Sequence, residues 1–132
     1  MIVARSLIKQ RASRAPYNEP PSMPKTPYFD ELNIRLRAFS AERDWDRHHA
    51  PRNLAASVSI EAAELLELFQ WDDGSHDWSA LQQGDKHQRL REELADVLIY
   101  ALRLADLAKI DVPQAIEDKM AANAIKYPPT NA

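Results

Sequence analysis

Two acidic pairs, Glu61-x-x-Glu64 in the run SIEAAELLELFQW and Glu93-x-x-Asp96 in EELADVLIY, lie inside two of the most apolar stretches of the chain. A spacing of three puts both carboxylates of a pair on one helix face, about 60° apart around the axis. Like charges placed that way repel each other and weaken a helix. No basic residue relieves them at i+4, where Leu65, Leu68, Val97 and Tyr100 stand. Four acids facing an apolar interior need a counter-charge, and a divalent metal is the simplest one to supply from outside.

The plain reading of Glu61, Glu64, Glu67, Glu92, Glu93 and Asp96 is a set of solvated charges on helix surfaces. Against it, the acids interleave with the apolar stripe and the pattern occurs twice, on neighbouring long helices. Packed antiparallel, those helices would gather four carboxylates around one space, and oxygen-only donors select hard cations such as Mg²⁺ or Mn²⁺. A di-iron carboxylate bundle would want Glu-x-x-His on two helices. The chain contains no Glu-x-x-His, so that chemistry is set aside.

The 132 residues suit one domain with a single core. A formal net charge of −3 argues against a nucleic-acid binder. No apolar run approaches the length of a membrane span, so no membrane partner is expected. With no cysteine, disulfides, thiolate zinc sites and thiol nucleophiles are excluded, which is compatible with a reducing cytoplasm. The two glycines, Gly74 and Gly84, do not make a glycine-rich phosphate loop. Phosphate binding would therefore fall to metal ions and cationic side chains.

Residues 1–27 are rich in proline and basic residues, with Glu19 as their one acid, and read as an extended or disordered leader. A basic, acid-poor start also resembles an organelle transit peptide. A helical period then begins at Pro27, with Phe29, Leu32, Leu36 and Phe39 as its stripe and Thr26 as a candidate cap. A loop through Asp46–Pro51 should end it. A second helix is expected over about 53–69, with Leu54, Val58, Leu65, Leu68 and Phe69 as its stripe. A third is expected over about 87–108, with Leu90, Leu94, Val97, Leu98, Ala101 and Leu104 inward. Asp111 and Pro113 open a fourth, reaching about Ala124. The domain at 28–132 is thus expected to be an all-α bundle of four to five helices, with no strand-like alternation and no solenoid repeat.

Trp45 and Trp71 stand where proposed helices end, and Trp78 in the loop between the second and third. Tryptophan is commonly core or interface material; near a carboxylate cluster it can also stack on a nucleobase. Trp71, seven residues past Glu64, would share nearly the same face. His48 and His49 in a loop read as exposed or backbone-bonded, or as ligand contacts. Lys119, Asn123, Lys126 and Tyr127 fall near one side of the fourth helix, either a solvated face or a set to hold phosphate oxygens.

Taken together, these segments resemble the MazG-like all-α nucleoside triphosphate pyrophosphohydrolases. AERDWDRHHAPRNL (41–54), ELLELFQW (64–71), EELADVLIY (92–100) and KMAANAIKYP (119–128) each look like the dCTP pyrophosphatase branch, over roughly residues 28–129. The resemblance implies an oligomeric bundle, a homodimer or homotetramer. It would hydrolyse a (deoxy)nucleoside triphosphate to its monophosphate and pyrophosphate with Mg²⁺. By similarity Glu61, Glu64, Glu93 and Asp96 would hold the metal; as a mechanistic expectation beside it, Glu64, with Glu61 next to it, activates water. Trp45, His49, Trp71 and Tyr100 would line the nucleoside pocket, and Lys119, Asn123, Lys126 and Tyr127 would meet phosphate or sugar. Three departures stand out: Ser59 two residues before Glu61, Ala63 where close relatives tend to have glycine, and Leu36 where the eukaryotic dCTP enzymes have a histidine. The rival readings are a pyrophosphatase of broader or dUTP-type scope, and a non-catalytic helical oligomer.

Overall fold

A computed structural model of the chain describes residues 27–74 and 77–129. The expected leader at 1–27 lies outside the described residues except for Pro27, as does the Thr26 cap. Four α-helices account for most of the described residues: α1 (Pro27–Glu42), α2 (Pro51–Glu67), α3 (Gly84–Leu107) and α4 (Val112–Lys126). Two short 3₁₀ turns, Asp46–His48 and Ser79–Leu81, lie between them, and no strand occurs among the described residues. The all-α expectation holds.

Local chemistry sets the ends. Pro51 sits in the first turn of α2 behind an extended Ala50, which starts that helix two residues earlier than its apolar stripe suggests. Gly84 at φ +82°, after an extended Gln83, turns the chain into α3 three residues ahead of the periodic pattern. Asp111 caps α4 by accepting a 3.1 Å hydrogen bond from the Gln114 amide. The segment expected as a plain loop after α1 instead winds into the Asp46–His48 turn, fixed by the Asn53 side chain donating to the His48 carbonyl at 3.0 Å.

Helix α1 ends in a motif that matters for the site. The Trp45 amide donates to the Ser40 carbonyl at 3.0 Å and the Asp44 amide to the Ala41 carbonyl at 3.1 Å, with Asp44 left-handed at φ 52°. This 6→1 and 5→2 pair is a Schellman cap, which places Trp45 back against the last turn of its own helix. The Trp45 ring meets Phe39 edge-on, with centroids 5.6 Å apart, and the Arg43 guanidinium covers the same Phe39 ring at 3.5 Å.

Helices α2 and α3 form the principal packed pair, and α1 lies against α3. The pair is antiparallel: Leu54 and Ser57 share a cavity with Tyr100, Glu61 shares one with Asp96, and Phe69 carries the Lys86 ammonium 5.1 Å from its ring. Leu54, 1% exposed, is the one buried apolar side chain among the described residues. Three residues expected on apolar faces, Phe39 on α1 and Leu94 and Leu98 on α3, are instead about half exposed (45%, 45% and 50%). On α3 the apolar stripe is wider than its two packed neighbours, α1 and α2, cover. Ile60, Leu66, Ile116 and Met120 are open to solvent as well.

Candidate functional site

The antiparallel packing of α2 on α3 brings three of the four expected acids into one close cluster, with Asp96 outside it. Carboxylate oxygens of Glu61, Glu64 and Glu93 all lie within 4.8 Å of one another. Glu61 is held above the usual carboxylate range, first by desolvation and then by the charges of Glu64, Asp96 and Glu93. Asp96 thus completes the electrostatic quartet. The donor set is all carboxylate oxygen, which fits a hard divalent cation and fits poorly the thiolate- or imidazole-seeking metals.

Glu61 and Asp96 also line a cavity of about 310 Å³ whose other walls include Leu36, Trp45, His49, Ile99, Tyr100 and Arg103. Three of the four residues expected around a nucleoside, Trp45, His49 and Tyr100, are therefore beside the acids. The Schellman cap delivers Trp45, the 3₁₀ turn delivers His49, and Tyr100 lies one helical turn beyond Asp96 on α3. Among the described residues, His49 Nδ1 and Arg103 Nε are buried atoms without a hydrogen-bond partner.

Trp71 is elsewhere. It is 88% exposed and lines a separate cavity with Phe69, Trp78, Leu81 and Lys86. The seven-residue spacing from Glu64 does not carry the expected face, because α2 stops at Glu67 and the chain turns before residue 71. Lys119, Asn123, Lys126 and Tyr127 are exposed on the far half of α4 and at its exit, and none lines the acid-bearing cavity. Lys126 Nζ lies 5.1 Å from the Tyr127 ring centroid.

Sequence reading missed Arg103 and its partners. Arg103 is 6% exposed; its Nη2 donates to Asp46 Oδ1 at 2.8 Å and its Nη1 to Asp106 Oδ2 at 2.7 Å. Asp106 also accepts from Arg37 of α1, through Nε at 2.9 Å and through Nη2. Its carboxyl is held below the usual range, chiefly by the Arg37 hydrogen bond. The available signal was a lone arginine on the apolar run LIYALRLADL, where an unpaired cation would not be tolerated.

The MazG-like family model matches residues 56–132. The dCTP pyrophosphatase 1 of Bos taurus is 39% identical over 113 residues, covering 83% of this chain and 64% of its own length. That of Homo sapiens is 40% identical over 106 residues, covering 77% and 60%. The chain thus spans just under two thirds of the length of these curated relatives. A crystal structure of a pyrophosphatase from Archaeoglobus fulgidus superposes with a TM-score of 0.72 at 42% identity, over 83% of this chain and all of that one.

Proposed function

The chain belongs to the MazG-like family, and on that premise we propose that it hydrolyses a (deoxy)nucleoside triphosphate, dCTP or a related or modified pyrimidine nucleotide, to the monophosphate and pyrophosphate. The observation that carries this reading is an acidic cluster of Glu61, Glu64 and Glu93 that adjoins, through Glu61, a cavity also lined by Asp96 and Trp45. A polyphosphate and a planar base are the two ligand parts that such walls accept.

In this reading Glu61, Glu64, Glu93 and Asp96 would hold Mg²⁺, with Mn²⁺ as a substitute, which when bound would supply charge neutralisation for the triphosphate and a lowered pKa for water. Glu64, on the exposed side of α2, takes a proton from the attacking water, and Glu61 stands beside it in the same role. The water oxygen bonds to the α-phosphorus, and the bond from that phosphorus to the α,β-bridging oxygen breaks. The electron pair leaves with pyrophosphate. Trp45, His49 and Tyr100 hold the nucleoside.

Trp71, Lys119, Asn123, Lys126 and Tyr127 reach a ligand, in this account, as part of an assembly. Their exposure and that of Leu94, Leu98, Ile60 and Leu66 are what a second copy of the chain would cover, giving a homodimer or homotetramer. The cytoplasm is the compartment we propose, in keeping with a chain free of cysteine. No described helix is long and apolar enough to cross a membrane.

A second reading, a pyrophosphatase of broader or dUTP-type scope, is favoured by Leu36. This residue brings an apolar side chain to the cavity wall where the eukaryotic enzymes have a histidine. Assaying pyrophosphate release from a panel of nucleotides with Mg²⁺ tests both readings.

A further inference from the structure

A buried cation persists only when its donors are matched, and one of the two matches made by Arg103 is long-range in sequence. Asp46, its partner in the turn after α1, is 57 residues away in sequence. The Asp46 side chain is 48% exposed, so burial does not force it inward. The hydrogen bond to Arg103 ties the turn to α3, beside the tie that Asn53 makes to α2. The same oxygen, Asp46 Oδ1, lies 3.4 Å from His49 Nδ1, and Trp45 is the immediate neighbour of Asp46 in the chain. Asp106, with a side chain 8% exposed, secures the same guanidinium from within α3, and Arg37 ties that aspartate to α1. Two arginines and two aspartates thus link three elements into one charge-balanced chain ending at the cavity.

We infer that Arg103 is a positioning residue for the nucleoside cavity: through Asp46 it pins the 45–49 turn to α3 and so fixes Trp45 and His49 for the ligand. The inference deepens the proposed pyrophosphohydrolase reading and rests on it for the identity of that ligand. Because the clamp acts on the binding wall and leaves the acids alone, its loss weakens substrate binding and spares the chemical step.

The test compares wild type, Arg103→Met, Asp46→Ala and the double variant in two ways. Amide hydrogen–deuterium exchange at 45–50 is expected to quicken about tenfold or more in each variant, with 61–66 and 93–100 unchanged. For the best triphosphate with Mg²⁺, KM is expected to rise about tenfold while kcat stays within about threefold, and the double variant should be no worse than either single. Should Arg103→Met fail to fold, Asp46→Ala, at a half-exposed position, decides alone. Unchanged exchange and unchanged KM in Asp46→Ala would overturn the inference, as would a fall in kcat at constant KM. If wild type releases pyrophosphate from no triphosphate, the proposed function fails, and the exchange comparison still judges the clamp.

Discussion

Glu61 on α2 and Glu93 on α3 bring carboxylate oxygens within 4.8 Å of each other across the packed helices, with Glu64 in the same cluster. No other arrangement in the described residues collects so much like charge. It is a liability to the metal-free fold, and the first prediction follows from that. Glu61→Gln should stabilise the metal-free protein by about 0.5 kcal/mol, the scale of one relieved like-charge helix pair. The same change should remove most of the stabilisation that Mg²⁺ gives the wild type. Thermal melts in EDTA and in excess Mg²⁺ measure both.

The pH dependence has a definite sign. Desolvation, and then Glu64, Asp96 and Glu93, raise the folded pKa of Glu61 above its unfolded value. Between those two values the folded state binds more protons, so the contribution of Glu61 to stability falls as pH rises through the window. In EDTA the melting temperature of wild type minus that of Glu61→Gln should therefore become more negative from pH 4 upward. It should level off once Glu61 is ionised in both states. A difference that grew more positive with pH would reverse the assignment.

Leu54 is the best-buried side chain among the described residues, and Leu54→Ala should cost about 3 kcal/mol. Urea unfolding at fixed protomer concentration checks it, since assembly would add a concentration-dependent term.

The Schellman cap gives a local test of how Trp45 is placed. Asp44 holds a left-handed φ of 52° that glycine adopts freely and β-branched residues resist. Asp44→Gly should leave stability within about 1 kcal/mol of wild type, whereas Asp44→Val should lose about 1–2 kcal/mol. Valine should also move the Trp45 fluorescence, read in a Trp71→Phe, Trp78→Phe background.

Much of this site was legible in the sequence because helix periodicity is a local rule. The Glu-x-x-Glu and Glu-x-x-Asp spacings placed each pair on one face, and apolar stripes on α2 and α3 implied the packing that joins them. Trp45, His49 and Tyr100, singled out by the family resemblance and not by periodicity, line the cavity that Glu61 and Asp96 also line. What local rules did not give was where each helix stops and what covers it. Trp71 left the expected face because α2 ends at Glu67, and Leu94 and Leu98 are exposed because two neighbours do not span the apolar arc of α3. Arg103 was missed for a related reason: its partner Asp46 is distant in sequence, and only packing sets that distance.

The most direct test of the central claim is product analysis with purified protein, Mg²⁺ and a panel of deoxynucleoside triphosphates. The account predicts stoichiometric nucleoside monophosphate and pyrophosphate from at least one pyrimidine nucleotide, with turnover lowered about 10³-fold or more by Glu64→Gln and by Asp96→Asn. Orthophosphate with a diphosphate as products, or near-normal rates in either variant, would contradict it.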